Sequence, residues 1–205
     1  MGTDRAGLRH IVAITSELAR SSIHGQTSLN RTLALASEFD SEFLIAGEKS
    51  FVTVFANAII CNVNDPKDFA EAIVDLDLRI DAVAIHDACR PLTRTEQVKN
   101  AIFAFSKDVD CVRPTIDFTE TLKFVDSNSV IEETLDRSSV RRVSTPEIIR
   151  LSAIDIKGED SGWFVTLTAS AKLLDIPGDP EALRINSADD IALLESFAHW
   201  RKSAS

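Results

Sequence analysis

The segment Asp81–His86 reads DAVAIH, with four apolar side chains in succession, and runs straight into the loop Asp87–Leu92 (DACRPL). A strand with one wet face alternates apolar and polar residues, whereas a continuous apolar run has to be covered on both faces, as inside a parallel sheet. His10–Thr15 (HIVAIT) and Glu42–Ala46 (EFLIA) have the same character. Between them, Gln26–Phe39 places Leu29, Leu33, Leu35 and Phe39 near helical spacing. Ser50–Cys61 is apolar and β-branched, and Asp65-Pro66 then sets an N-cap and a first-turn proline before a helix over Pro66–Leu76, with Phe69, Ile73 and Val74 inward. Thr93-x-x-Glu96 reads as a capping box opening a helix through Phe105. Strand and helix in alternation predict an α/β fold, a mostly parallel sheet with helices on both faces. Ligands of such sheets sit beyond the carboxyl ends of the strands.

The rhythm breaks at Val109–Leu135. Cys111–Ile116, Thr121–Val125 and Val130–Leu135 read as strands, the last two joined by the polar turn Asp126–Ser129, and predict a projecting β-hairpin arm at about 109–136. Beyond it, Thr145-Pro146 predicts a capped helix through Ala153, Trp163–Leu174 a further helix, and Leu183–Ile185 a short strand. Ser187-x-x-Asp190 caps a last helix to about Arg201. With no repeat, low-complexity tract or linker, the 205 residues read as one domain.

Composition excludes several classes. A formal charge of −10 is the wrong sign for a protein whose main ligand is nucleic acid or an anionic membrane. The middle third, residues 86–157, is nearly neutral and rich in arginine, a local zone that an anionic substrate would need. The seven glycines are scattered, so neither of the common glycine-rich phosphate cradles can be drawn through them. Cys61, Cys89 and Cys111 form no C-x-x-C pair and, with four histidines, imply neither a zinc site nor a disulfide framework. His10 and His199 read as surface or boundary histidines. With no apolar run of membrane length and no signal-peptide pattern, a reduced, cytoplasmic protein is expected.

The loop after Asp81–His86 carries the chemistry. Asp87 and Arg90 stand three apart at a strand's carboxyl end, the first a candidate ligand for a divalent cation, the second for a bidentate contact to phosphate. The alternative is an ion pair stapling the loop. Arg137, flanked by Arg141 and Arg142 with Glu132, Glu133 and Asp136 nearby, reads from its own surroundings as part of a solvated charge network.

H-D-A-x-R-P after a buried strand resembles the signature of the 2-C-methyl-D-erythritol 4-phosphate cytidylyltransferases. Pro114–Lys123 (PTIDFTETLK) is similar to that family's proline, acidic-threonine and lysine stretch. Thr134–Arg137 (TLDR) with Thr145-Pro146-Glu147 resembles its T-V-D-R and T-P-Q segments, and Leu183–Ile191 (LRINSADDI) its I-K-V-T-x-P-E-D-L. The resemblance spans about residues 80–200. It implies a nucleotidyltransferase fold that binds CTP and magnesium or another divalent cation, and a homodimer in which each hairpin arm completes the partner's site. It implies catalytic roles for Asp87, Arg137 and Arg184, with Asp87 on the metal. It implies substrate contacts from Arg90, Thr121, Thr145 and Thr166, and a cofactor contact from Arg20.

The departures concern the nucleotide. The family's long P-A-A-G-x-G-x-R-M loop is here Thr15–Ile23 (TSELARSSI), about ten residues shorter, without its glycines or lysine and with Arg20 as its one basic group. Its G-G-x-x-R-x-x-S-V is replaced by Val63–Ala72 (VNDPKDFAEA), its T-D-E by Thr166-Leu167-Thr168, and the lysine of I-K-V-T by Arg184. Since phosphoryl-type transfer rests on positioning and preorganised charge, these losses predict weak or abolished transfer on a retained phosphate-binding half. The alternative is a non-catalytic homodimeric scaffold or regulator that binds a phosphorylated ligand or a partner protein. A sugar-nucleotide transferase would need a D-x-D at a strand end, and Asp75-Leu76-Asp77 falls at a helix end.

Overall fold

A computed structural model describes residues 7–76, 80–158 and 163–204. Asp77, the amino-terminal residues Met1–Ala6 and Gly162 lie outside the described residues. In chain order the elements are β1 (Leu8–Ala13), β2 (Ser22–Ile23), β3 (Gln26–Thr27), α1 (Ser28–Ser37), β4 (Leu44–Gly47), α2 (Lys49–Val52), β5 (Ala58–Ile60), α3 (Pro66–Val74) and β6 (Ala82–Asp87). There follow α4 (Thr95–Ala104), β7 (Cys111–Asp117), β8 (Leu122–Val125), β9 (Ile131–Leu135), β10 (Arg141–Val143), β11 (Glu147–Arg150), β12 (Leu173–Pro177) and α5 (Asp189–Ala204).

β5, β4, β1 and β6 pair in parallel, with Ile11 opposite both Leu44 and Ile85. β11 enters antiparallel between β6 and β7, and β12 lies parallel to β7. β10 also pairs with β7, at Thr115–Asp117, while β12 pairs along Cys111–Thr115. Each strand edge takes one partner at a given residue, so β10 and β11 share one edge of β7 and β12 takes the other. The fold is therefore the mostly parallel α/β sheet the strand pattern predicts.

All six residues of β6 are buried. On one face Ile11, Ala13, Val83 and Ile85 pack against Phe69 and Ile73 of α3 and against Phe164. On the other, Val12 and Ile45 meet Leu29 and Ala36 of α1, and Ala84 and Ile148 meet Ala101 of α4. Asp65 caps α3 as its spacing predicts, accepting from the amides of Lys67 and Asp68 with Pro66 in the first turn. β8 and β9 form a separate two-stranded sheet, and Asp126 closes its turn by accepting from the amides of Asn128 and Val130.

Several expectations are overturned. Thr145–Ala153 is not a helix: Glu147–Arg150 is β11, and a single 3-10 turn spans Leu151–Ala153. A proline ahead of buried isoleucines suits strand entry as well as a helix start, and pairing with β6 and β7 decides between them. Nor is Trp163–Leu174 a helix. Its β-branched run bridges back through Leu167 to Ile154, and Leu173–Pro177 adds β12 to the sheet. Leu183–Ile185 forms no named strand and is tied by the Ile185 amide to the Cys89 carbonyl at 2.9 Å. Thr93 is no cap: its hydroxyl donates to the Arg90 carbonyl, and α4 begins after an extended Arg94. Val74 faces solvent. His10 is buried rather than at the surface, its Nδ1 2.8 Å from His86 Nε2.

Candidate functional site

β6 delivers its last residue, Asp87, to the sheet's carboxyl end with no solvent exposure. Its Oδ1 accepts from the Thr15 hydroxyl at 2.8 Å and from the Cys89 amide at 3.0 Å. Its Oδ2 accepts from Arg184 Nε at 2.9 Å and lies 3.6 Å from Arg90 Nε. Arg184 also donates to the Thr15 hydroxyl, at 2.9 Å, and to Asn186 Oδ1, at 2.6 Å. Thr15 thus passes a hydrogen bond from guanidinium to carboxylate. The Asp87 amide donates to Thr145 Oγ1, whose hydroxyl donates to the Ile85 carbonyl.

Arg90 is nearly as buried as Asp87. It donates to the carbonyls of Ala182 and Val143, at 2.7 and 2.8 Å, and its guanidinium lies over the Trp163 ring at 5.5 Å. Its Nε makes no hydrogen bond. Burial lowers its pKa, and the nearby Arg184 and Arg142 add to that, opposed by Asp87. Arg90, Arg142, Arg184, Asn186 and Asp190 open onto a cleft of about 390 Å³ floored by Leu183, Leu193 and Leu194. Asp190 is engaged at the start of α5, where it accepts from the amides of Asn186 and Ser187.

The expected site residues are thereby divided. Asp87, Arg90, Arg184 and Thr145 come together. Arg137 and Thr121 lie at the base of the β8–β9 hairpin, where Arg137 donates to the Thr119 carbonyl. Arg20 lies over the Phe51 ring at 5.2 Å and donates to the Ser50 carbonyl. Thr166 is mostly buried and accepts from the Asp155 amide through its carbonyl. Two participants were not singled out from sequence. Thr15 is the last residue of the first apolar run. Arg142 follows Arg141 on β10, and alternation along a strand sends neighbours to opposite faces: Arg141 pairs with Asp117, whereas Arg142 lines the cleft.

A divalent cation does not fit these residues as they stand. Both Asp87 oxygens already face donors, with two guanidiniums on Oδ2, and among the described residues no group of three or more His, Cys, Asp or Glu is placed to hold a metal ion.

A doubly covered, mostly parallel sheet with a polar cluster at the carboxyl end of a central strand places the chain among α/β proteins that receive ligands at strand ends. The chain belongs to the 2-C-methyl-D-erythritol 4-phosphate cytidylyltransferase family, whose model matches residues 67–199. It is 32% identical over 135 residues to the 2-C-methyl-D-erythritol 4-phosphate cytidylyltransferase of Saccharopolyspora erythraea, a match covering 62% of this chain and 58% of that one. Its fold is similar to the 4-diphosphocytidyl-2C-methyl-D-erythritol synthase of Anaerococcus prevotii, with TM-score 0.76 and 17% identity over 96% of this chain and 100% of that one. The Thermus thermophilus 2-C-methyl-D-erythritol 4-phosphate cytidylyltransferase gives TM-score 0.75 and 18% identity, over 92% and 98% of the two chains.

Proposed function

We propose that this protein is a divergent member of its family in which the half that receives the phosphorylated polyol persists and the half that receives CTP is eroded, so that cytidylyl transfer is weak or lost. The observation that carries this reading is the asymmetry of the carboxyl-terminal rim. On one side Arg90 and Arg184 are held on Asp87 beside an open cleft. On the other, the short segment after β1 carries one basic side chain, Arg20, which is spent on Phe51 and the Ser50 carbonyl. Asn64 further ties the Thr15 carbonyl down against the loop before α3, at 3.0 Å. Each preorganised donor lost from a charged transition state typically costs about 10²–10³ in rate.

In this reading the 205 residues are one cytoplasmic nucleotidyltransferase-like domain; of the arm expected at 109–136, Cys111–Asp117 belongs to the main sheet as β7, and the arm is the β8–β9 hairpin, Leu122–Leu135. Arg90 and Arg184 contact phosphate, Asp87 and Thr145 hold them in place, and Arg137 and Thr121 serve the site of a second copy reached by the hairpin. The arm's exposed Phe124, Val125, Val130 and Ile131 support such a homodimer. The second reading, a non-catalytic dimer that binds a phosphorylated ligand, is favoured by the same missing donors.

Pyrophosphate release from CTP and 2-C-methyl-D-erythritol 4-phosphate, measured with and without magnesium beside an intact relative, tests the proposal. Turnover at least about a hundredfold below the relative's is expected. Comparable turnover would show that the CTP half has been rebuilt from other residues and would overturn the erosion.

A further inference from the structure

Residues 178–188 join β12 to α5 without regular secondary structure, yet they carry Arg184 to Asp87. A segment with no ladder of its own keeps its shape only through ties to its neighbours. Its buried residues are Asp179, Ala182 and Ile185, and each is fastened to the stretch between β6 and α4. The Ile185 amide donates to the Cys89 carbonyl at 2.9 Å, and the Ala182 carbonyl accepts from Arg90 at 2.7 Å. Asp179 takes a fork from Arg94, with Nε on Oδ2 at 2.7 Å and Nη2 on Oδ1 at 2.8 Å, two parallel charge-assisted bonds between one guanidinium and one carboxylate.

Asp179 does a second thing with the same group. Its Oδ1 also accepts from the Glu181 amide at 3.0 Å, and its carbonyl accepts from the Ala182 amide at 3.1 Å, so the residue that holds Arg94 also closes the 179–182 turn. Just before it, the Gly178 amide donates to the Thr115 carbonyl at 2.8 Å, and a Cβ on Gly178 would stand 2.8 Å from Ile116 Cγ1, so the segment starts in close contact with β7. On the other side, Arg94 is the extended residue at the head of α4, whose Val98 and Ala101 are buried. The turn is thus held between a strand and a helix of the main body. What it presents to the site follows from that hold: the Ala182 carbonyl on Arg90 and, two residues further, Arg184 on Asp87 and Thr15. Neither Arg94 nor Asp179 lines the cleft, and both lie outside the motifs that carry the family resemblance. With the Arg94 side chain 45% exposed, the ion pair by itself adds little to global stability, and its main consequence is geometric.

The geometry points to Arg94 and Asp179 as positioning residues for the site at Asp87: the fork between them shapes the 179–182 turn and so sets where Arg90 and Arg184 place their guanidiniums. What those guanidiniums receive rests on the proposed function; the coupling across the turn does not.

The coupling is read at the Arg184 Nε–H, which is bonded to the buried Asp87 Oδ2 and gives its own signal in proton–nitrogen NMR spectra of the full chain, assigned by its loss in Arg184→Lys. Exchange of that proton with water is compared in wild type, Arg94→Met, Asp179→Asn and Ile73→Val, the last a buried change in α3 that controls for lost stability alone. Exchange at least about tenfold faster than in wild type is expected in Arg94→Met. A smaller acceleration is expected in Asp179→Asn, which keeps an acceptor for the Glu181 amide, and none in Ile73→Val. Unchanged exchange in Arg94→Met, or equal acceleration in Ile73→Val, would overturn the inference; should Arg94→Met fail to fold, Asp179→Asn against the same control carries the decision. Inorganic phosphate, titrated calorimetrically into wild type and Arg94→Met, separates this from the proposed function. An affinity about tenfold or more lower in the variant supports both, and equal binding by the two proteins would overturn the positioning role. A wild type that takes up no phosphate, with Arg184 exchange still faster in Arg94→Met, would overturn the phosphate contacts proposed for Arg90 and Arg184 and uphold the coupling.

Discussion

Replacing Asp87 by alanine is expected to destabilise the fold by about 3–5 kcal/mol, the range for removing one partner of a buried ion pair. The structure supports the upper half of that range. Arg90 is 5% exposed and would keep its charge beside Arg142 and Arg184 with no carboxylate near it, and the buried Cys89 amide would lose its acceptor. The unpaired amide alone is worth about 1–3 kcal/mol. Arg184 adds little, because at 28% exposure water can take over its solvation. A small-domain stability is typically about 5–15 kcal/mol, so the variant should still fold. Urea denaturation followed by tryptophan fluorescence measures the loss. Asp87→Asn keeps an acceptor for Thr15 and Cys89 and should fall between wild type and Asp87→Ala. A loss below about 1 kcal/mol for Asp87→Ala would refute the reasoning, because it would mean that Arg90 and Arg184 reorganise without the carboxylate.

Burial depresses the His10 pKa from 6.5 to about 4, and His86, fully enclosed beside it, is lowered too. The unfolded chain then takes up a proton that the folded chain refuses, so stability is complete above about pH 6.5 and falls as pH drops toward 4, by up to about 3 kcal/mol for His10 alone; a flat stability between those pH values would contradict the buried pair. The three thiols are all buried, and burial pushes Cys89 up to about 11 and Cys61 up to about 12. None should react with a disulfide reagent at pH 8 until denaturant is added, and rapid labelling of the native protein would disprove this. Light scattering should give about twice the 22.5 kDa chain mass, and Phe124→Asp with Ile131→Asp on the arm should yield a monomer of unchanged melting temperature; a dimer that survives both changes would place the interface elsewhere. Arg113→Met should cost about 3 kcal/mol or more in the same urea assay, since it strands Glu147, which is buried with Oε1 on Arg113 Nε at 2.7 Å and a pKa raised by that burial.

The parts of the fold legible from the chain are those whose periodicity local physics controls. DAVAIH had to be a doubly covered strand, and Asp65-Pro66 had to open a helix, because each signal has one structural solution. The errors fall where one signal has two. Thr145-Pro146 begins a helix or a strand with equal local merit, and the gap between β6 and β7, two strands laid down far earlier in the chain, selects the strand. The same gap explains why Glu147, a polar residue in a buried strand, is tolerated: Arg113 of β7 is waiting opposite. The site was legible at Asp87 and Arg90 through the loop motif. Thr15 and Arg142 were not, because their roles depend on which strand ends meet and on which face of β10 is turned toward the cleft.

That difference bears on how a nucleotidyltransferase fold could lose half of its site without collapsing. The residues that meet at Asp87 come from four separate stretches: the end of β1, the loop after β6, the Ser144–Thr145 turn and the segment before α5. Removing Asp87 leaves the buried Arg90 uncompensated, and removing either threonine leaves a polar partner in the cluster short of a hydrogen bond, so the cluster is held by stability as well as by any ligand. Beyond Thr15 the loop after β1 buries no charged side chain and closes on itself through a 3-10 turn capped by Ser16 and a two-residue hairpin turned at His24 and Gly25, both at positive φ. In the proposed reading, a nucleotide loop in this position can change at little cost to the fold, whereas loss of Asp87 from the arginine-lined cleft would leave the buried Arg90 without its carboxylate.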